Sequence, residues 1–336
     1  MRRGGLGLLA RLATRGLSSV PFGGRLERYL LERTWTARSA EMLDRYLVSG
    51  YQNPRINVQS ILLRHFLIAR IGGTGSDDLA EGELRLAVEL NEVLRLRAAE
   101  LGVTMGSFLN PAKQAAVRRA DESIADREHA FAERWMEALG GIRAKPISVL
   151  ELACGSANDY RAFVESGLAA HLDYRGIDLT EKNVMNARRR FPDVPFEVGD
   201  VRSLRYGDRE FDYVIASDVF EHLSLDGMEL ALDEAMRVTR RGLALTFFNM
   251  GEAPHHEVRP TRLYHWNRLS RPRIEERVRA QFESVRVVPV AAWLRERYGY
   301  AHSYNRHSYS LFAEHPRDVG RSHDRFRPAA SAPQTP

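Results

Sequence analysis

Three acids stand where an apolar run gives way to a loop. Glu151 lies in Val149-Leu150-Glu151-Leu152, and the small residues Ala153-Cys154-Gly155-Ser156-Ala157 follow it. Asp178 closes Tyr174-Arg175-Gly176-Ile177-Asp178, and Asp200 comes after Glu197-Val198-Gly199. Small residues let the backbone approach a ligand closely. A carboxylate has two acceptor oxygens, so one acid can take both hydroxyls of a ribose. Another can accept from an exocyclic amino group such as that of adenine. Together the acids describe a pocket for an adenosine moiety. Taken alone, Asp178 and Asp200 read equally well as helix caps. Cys154 reads as a small buried filler and not as a nucleophile.

The pocket needs elements that bring these acids to one edge. The rhythm of the chain changes at Pro146. Strands are predicted at 147–152, 173–178, 194–198, 211–216 and 242–248, and helices between them at 159–166, 181–190 and 225–238. A helix at 272–281, a strand at 285–290, a helix at 291–298 and a strand at 307–312 complete the pattern. Strand alternating with helix predicts an α/β fold, a doubly wound and mostly parallel sheet covered on both faces. Ligands of such sheets sit beyond the carboxyl ends of the strands, at the switch point. Before Pro146 the pattern is helical: 25–48, 56–71, 77–100 and 112–139.

A dinucleotide site does not fit. Its fingerprint places a third glycine three residues after the second. Here Asn158 stands three after Gly155. Glu151 would also repel a pyrophosphate. No Gly-Lys-Ser/Thr phosphate loop occurs.

The ordered set resembles the class I S-adenosylmethionine-dependent methyltransferases, small-molecule type, over about residues 146 to 313. Their first-strand motif reads acid-x-Gly-x-Gly-x-Gly. Glu151 and Gly155 match it, with Ala153 and Ala157 standing for the outer glycines. Phe211-Asp212-Tyr213-Val214-Ile215-Ala216-Ser217-Asp218-Val219-Phe220-Glu221-His222-Leu223 matches the fourth strand and its sequel, and Arg237-Val238-Thr239-Arg240-Arg241-Gly242 the approach to the fifth. The resemblance implies a seven-stranded Rossmann-like methyltransferase fold with S-adenosylmethionine as cofactor. The loop at Glu151, Ala153, Gly155 and Ala157 would wrap its methionine part, with Ser217 and Asp218 beside it. Asp178 would hold the ribose hydroxyls and Leu179 face the adenine. Asp200 would accept from the adenine amino group, with Val201 beside the ring.

Methyl transfer needs alignment and exclusion of water, and a base where the acceptor holds a proton. The candidates follow the fourth and fifth strands: His222, then His255 and His256 in the polar loop 249–260. His255 and His256 are the preferred base or acceptor-binding residues, and His222 reads more readily as a structural histidine closing the helix start. Tyr264-His265-Trp266-Asn267 extends the same wall. Adjacent side chains rarely point one way, so His255-His256-Glu257 is not expected to hold a metal. No Asp/Asn-Pro-Pro-Tyr/Phe tetrad follows the fourth strand, which argues against nucleic-acid bases and protein glutamine as acceptors. A small-molecule acceptor is expected: a natural product, sugar or lipid-like metabolite, methylated by in-line displacement. A same-fold enzyme acting on protein or RNA and a non-catalytic scaffold subunit are the alternatives.

The 336 residues are 44% hydrophobic and 28% charged, enough for a sizeable core. The formal net charge is +5, with Arg spread among acids and Lys only at Lys113, Lys145 and Lys182. A nucleic-acid protein concentrates its charge on one face, so no nucleic-acid partner is expected. The single cysteine excludes an intrachain disulfide and fits a cytoplasmic setting. Four regions are expected: a basic arm or amphipathic segment at 1–24, a helical domain at 25–145, the cofactor-binding catalytic domain at 146–315 and a disordered tail at 316–336. The arm leaves membrane contact open. The helical domain serves as lid, acceptor recognition or homodimer contact. Its polar stretch from Tyr46 to His65 fits a lid, a dimer contact or a solvated face.

Overall fold

The computed structural model describes residues 53–72, 77–100, 111–261, 264–301 and 305–317. The expectations for 1–24, for helix before residue 53 (Tyr46, Tyr51 and Gln52 included) and for the tail beyond 317 lie outside these residues.

Seven strands form one sheet. They are β1 (Ile147–Leu152), β2 (Leu172–Asp178), β3 (Phe196–Val198), β4 (Phe211–Ser217), β5 (Thr239–Phe247), β6 (Phe282–Pro289) and β7 (Tyr309–Pro316). Their order is β3-β2-β1-β4-β5-β7-β6. β1 to β5 pair in parallel, and β7 runs antiparallel to both β5 and β6. The chain winds outward from β1 to β3 and then returns to β4 on the other side of β1. That reversal opens a crevice at the carboxyl ends of β1 and β4.

The strands are apolar on both faces because both are covered. Val149 belongs to one core and its neighbours Leu150 and Leu152 to the other. The second core takes the buried stripes of α6 (Leu225–Val238) and α7 (Arg271–Gln281), including Met228, Leu232, Ile274 and Val278. The first takes α4 (Asn158–Glu165), α5 (Glu181–Arg190) and α8 (Val290–Tyr298).

The N-terminal helices join that same first core. They are α1 (Val58–Ile68), α2 (Asp77–Glu100) and α3 (Pro111–Gly140). Val58, Ile61, Leu63, Leu67 and Ile68 of α1 are fully buried. Phe66 stacks on Phe312 of β7 at 5.3 Å and meets Tyr213 of β4 edge-on at 5.5 Å. At roughly 1.5–3 kcal/mol per fully buried aliphatic side chain, α1 is a wall of the sheet domain and not a loose cover.

Its polar residues also have partners inside. Asn57 caps α1, its side chain accepting from the amides of Gln59 and Ser60 at 2.9 and 3.2 Å. Gln59 is buried and donates to the carbonyls of Phe247 and Tyr309 at 3.1 and 2.9 Å. Buried Arg64 pairs with Glu83, which also meets His65 at 2.7 Å and accepts from the Trp135 indole at 2.8 Å. The solvated-face reading of Tyr46 to His65 is therefore corrected for residues 57–65.

Candidate functional site

The loop after β1 carries the site. Ala153, Gly155 and Ala157 all hold left-handed backbone, at φ 54°, 54° and 63°. This is the conformation that glycine adopts without steric penalty. The Cys154 amide donates to the carbonyl of Ile177 at 2.9 Å, which ties the loop to the end of β2. A Cβ placed on Gly155 would meet nothing within 4 Å, so the loop opens onto free space there. The Cys154 thiol is buried, and burial with the Glu151 and Asp178 charges raises its pKa; it is an inert filler.

Asp178 closes β2 and holds this loop. Its Oδ2 accepts from the Gly155 amide at 3.0 Å, and its Oδ1 from the Thr180 amide at 2.8 Å and the Asn183 side chain at 3.1 Å. It thus joins the small-residue loop to the residues that open α5, whose N-cap is Thr180.

A cavity of about 220 Å³ lies beyond the ends of β1 and β4. Glu151, Ala153 and Gly155 line it from the β1 side, and Ser217 and Asp218 from the β4 side. Asn57, Gln59 and Ser60 of the α1 region form a further wall. Asp159, at the start of α4, links these walls: its carboxylate accepts from Ser60 Oγ at 2.8 Å and from Ser217 Oγ at 3.0 Å. Asp218 has left-handed backbone at φ 53°, and its Oδ1 accepts from Thr246 Oγ1 at 3.3 Å.

The lining carries Glu151, Asp159 and Asp218 and, among the described residues, no Lys, Arg or His. Glu151 is buried, and its Oε2 accepts from the Tyr174 hydroxyl at 2.5 Å. Burial first, and then the charge of Asp159, push its carboxyl well above the usual range; the Tyr174 hydrogen bond opposes them and Asp178 adds to them. Such a donor set fits a small cation. S-adenosylmethionine brings an ammonium and a sulfonium against one carboxylate, a net positive charge, so the residues present suit that group.

The expected adenosine contacts lie outside this cavity. Leu179 is 67% exposed on the edge beyond β2. The Asp200 carboxylate is engaged by Arg202, whose guanidinium donates at 2.6 to 3.1 Å and holds the acid below its ordinary pKa. Val201 is buried in the second core, and Ala157 in the first. The cavity thus gathers Glu151, Ala153, Gly155, Ser217 and Asp218, while Ala157, Asp178, Leu179, Asp200 and Val201 are not part of its lining.

None of the three histidines lines the cavity. His222 is half-buried, and its Nδ1–H donates to the His265 carbonyl at 3.1 Å. Burial lowers its pKa, which favours the neutral ring, and among the described residues no hydrogen bond reaches its Nε2. Its ring packs with Phe248, Tyr264 and Trp266 at 5.3, 5.5 and 5.4 Å, which makes the expected wall after β5. His256 Nδ1 accepts from the Ser270 amide at 3.0 Å, and burial followed by the Arg273 charge lowers its pKa. His255 is exposed, with Nδ1 2.9 Å from the Arg273 guanidinium. Among the described residues no cluster of His, Cys, Asp and Glu could hold a metal ion.

Sequence reasoning missed Asp159, Ser60 and Glu221. Glu221 is fully buried. Its Oε1 accepts from the amides of Phe248 and Asn249 at 2.7 and 3.2 Å, and its Oε2 has no partner. Burial first, then Asp218, push its pKa up to about 8 against those amides. The acid clamps the turn after β4 to the end of β5.

Known proteins bear on this geometry. Residues 149–242 match the family described as a methyltransferase domain. The chain is 32% identical over 100 residues to a demethylmenaquinone methyltransferase of Thermotoga maritima, covering 30% of this chain and 42% of that one. It is 28% identical over 142 residues to a demethylmenaquinone methyltransferase of Renibacterium salmoninarum, covering 41% and 55%. The chain spans about half the length of these curated relatives. A crystal structure of the PH0226 protein from Pyrococcus horikoshii is similar at 19% identity and a TM-score of 0.38, covering 56% of this chain and 92% of that one. Among the described residues no helix is long and apolar enough to cross a membrane.

Proposed function

We propose, for a chain that carries a class I S-adenosylmethionine-dependent methyltransferase domain, that the methyl acceptor is a small molecule. The observation behind this reading is the cavity itself, closed on one side by Asn57, Gln59 and Ser60. A wall fixed to the sheet by the two hydrogen bonds of Gln59 leaves little room for a polymer. The curated relatives are named for demethylmenaquinone, a lipid-like acceptor, and favour the same class. No nucleic-acid partner is expected, because many arginines are spent on acids: Arg55 on Glu165, Arg237 on Glu234, Arg277 on Asp233. A cytoplasmic setting and a homodimer contact through the helical domain expected at 25–145 belong to the same proposal.

S-adenosylmethionine, when bound, supplies a methyl group on a sulfonium for in-line transfer to the acceptor. Glu151, Asp159 and the loop 153–157 hold its amino-acid end. Asp178 orders that loop and has a lone pair left on Oδ2 for a ribose hydroxyl. Leu179 and Val201 flank the adenine, and Asp200 accepts from its amino group once Arg202 turns aside. Ser217 and Asp218 bound the reacting side, and α1 keeps water out. His222, whose burial favours the neutral ring and whose Nε2 no hydrogen bond reaches among the described residues, is the proposed base. His255 and His256, whose Nδ1 atoms are engaged, have the secondary role of binding the acceptor.

Calorimetric titration with S-adenosylmethionine tests this. One saturable site with a Kd on the order of micromolar is expected. Asp178→Ala removes hydrogen bonds to a charged acceptor, worth about 1.5–3 kcal/mol each. Its affinity should fall by about a hundredfold. No binding by folded wild-type protein would end the proposal. A labelled-methyl screen of metabolite, lipid and polymer pools then identifies the acceptor, and incorporation into polymer alone would overturn the small-molecule reading.

A further inference from the structure

Three carboxyl groups act on one another at the end of β1, Glu151 and Asp159 in the cavity lining and Asp178 behind the loop, and they are not equally served. Asp178 receives three N–H donors, from Gly155, Thr180 and Asn183. Asp159 receives two hydroxyls, from Ser60 and Ser217. Glu151 receives one, the Tyr174 hydroxyl, and is buried at the end of β1. The groups facing it are Tyr174 and Asp178 from β2, Asp159 from α4 and Cys154 from its own loop. Among the described residues no cationic side chain lines the cavity.

Hydrogen bonds to a charged carboxylate stabilise it, and like charges in one site oppose one another. The proton that such a cluster retains therefore settles on its least supported member. Asp178 has three donors and Asp159 two, so that member is Glu151, with one.

We propose that the site exchanges a proton for the positive charge of its ligand. Glu151 is a carboxylic acid while the cavity is empty and a carboxylate when the cofactor's ammonium lies beside it. The O–H bond of the Glu151 carboxyl breaks, its electron pair stays on oxygen, and the proton leaves to solvent. Nothing is oxidised or reduced, and the charge inside the cavity is conserved. The inference rests on reading this cavity as the cofactor site. It makes Glu151 a residue that selects a ligand by its charge.

The test titrates the wild-type protein with S-adenosylmethionine near pH 7 in two buffers of different ionisation enthalpy. The difference in observed heat counts the protons released. Release approaching one proton per cofactor is expected, with affinity rising about tenfold per pH unit below the titration of Glu151. In Glu151→Gln, which keeps an oxygen for the Tyr174 hydroxyl, release should fall to near zero and the pH slope should flatten. Asp159→Asn should lower the release by removing a neighbouring charge. Binding to wild type with no proton released, or with release unchanged in both variants, would overturn the assignment. If the folded wild type does not bind at all, the cofactor reading fails, and this inference fails with it.

Discussion

Left-handed backbone at three positions of one five-residue loop is a demand that side chains resist. Gly155 meets it freely, whereas Ala153 and Ala157 carry a Cβ at φ 54° and 63°. For an L-residue that conformation is unfavourable by roughly 1–2 kcal/mol. Glycine at the same position offsets part of the relief by its greater freedom in the unfolded chain, about 0.5–1 kcal/mol. Ala157 is fully buried in the first core, so its methyl group contributes packing that glycine would lose. Ala153 is only half-buried and lines the cavity. Ala153→Gly should therefore stabilise the protein by about 0.5–1 kcal/mol, read as a higher urea midpoint at unchanged m-value, while Ala157→Gly should change little. A lower midpoint for Ala153→Gly would mean that neighbouring packing, and not the turn, sets this residue's contribution.

At the scale of elements, α1 is held by apolar contact and by buried polar anchors, Gln59 on the sheet and Glu83 on α2. Glu83 of α2 faces Arg64, His65 and Trp135. Burial acts to raise its pKa, but the Arg64 charge and the His65 hydrogen bond outweigh it and lower the pKa to about 2. Glu83→Ala would leave the Arg64 guanidinium buried with only the Pro54 carbonyl, at 2.6 Å, in place. Breaking a buried pair in this way destabilises by about 3–5 kcal/mol. A loss under 1 kcal/mol in chemical denaturation would show that water reaches Arg64. None of this was legible from local pattern, since the partners come from separate helices. What was legible is what period and spacing carry: α2, α5, α6 and β1 fall on the expected bounds. β5 begins at Thr239 and not at 242, because Arg240 and Arg241 look like loop residues yet pair with Asp212 across the sheet. β7 runs on to Pro316 because strands on both sides supply partners to polar Glu314. Glu151, Gly155 and Asp178 were readable because each closes a strand or follows one. Asp159 was not, because its meaning comes from Ser60 and Ser217, brought to it by the fold.

For the molecule as a whole, two buried glutamates pull the pH dependence of stability in opposite directions. Glu83 has its folded pKa lowered from 4.5 to about 2. Its contribution is present above the unfolded value and is lost as pH falls from about 4.5 through 2. Glu221 has its folded pKa raised from 4.5 to about 8. Its contribution is present below the unfolded value and is lost as pH rises from about 4.5 through 8. The ionised form then leaves the orphaned Oε2 buried with a charge beside Asp218. Glutamine at 221 keeps one oxygen for the amides of Phe248 and Asn249 and has nothing to ionise. Thermal melts of Glu221→Gln should therefore show a flatter profile between pH 5 and 8.5, with its advantage over wild type growing towards the alkaline end. Parallel profiles for the two proteins would place the alkaline loss elsewhere. Glu151, also raised, adds to the same slope in the empty protein. If the ammonium of the cofactor takes the place of its proton, saturating cofactor should remove that share and leave the share of Glu221, so ligand and mutation flatten the curve independently.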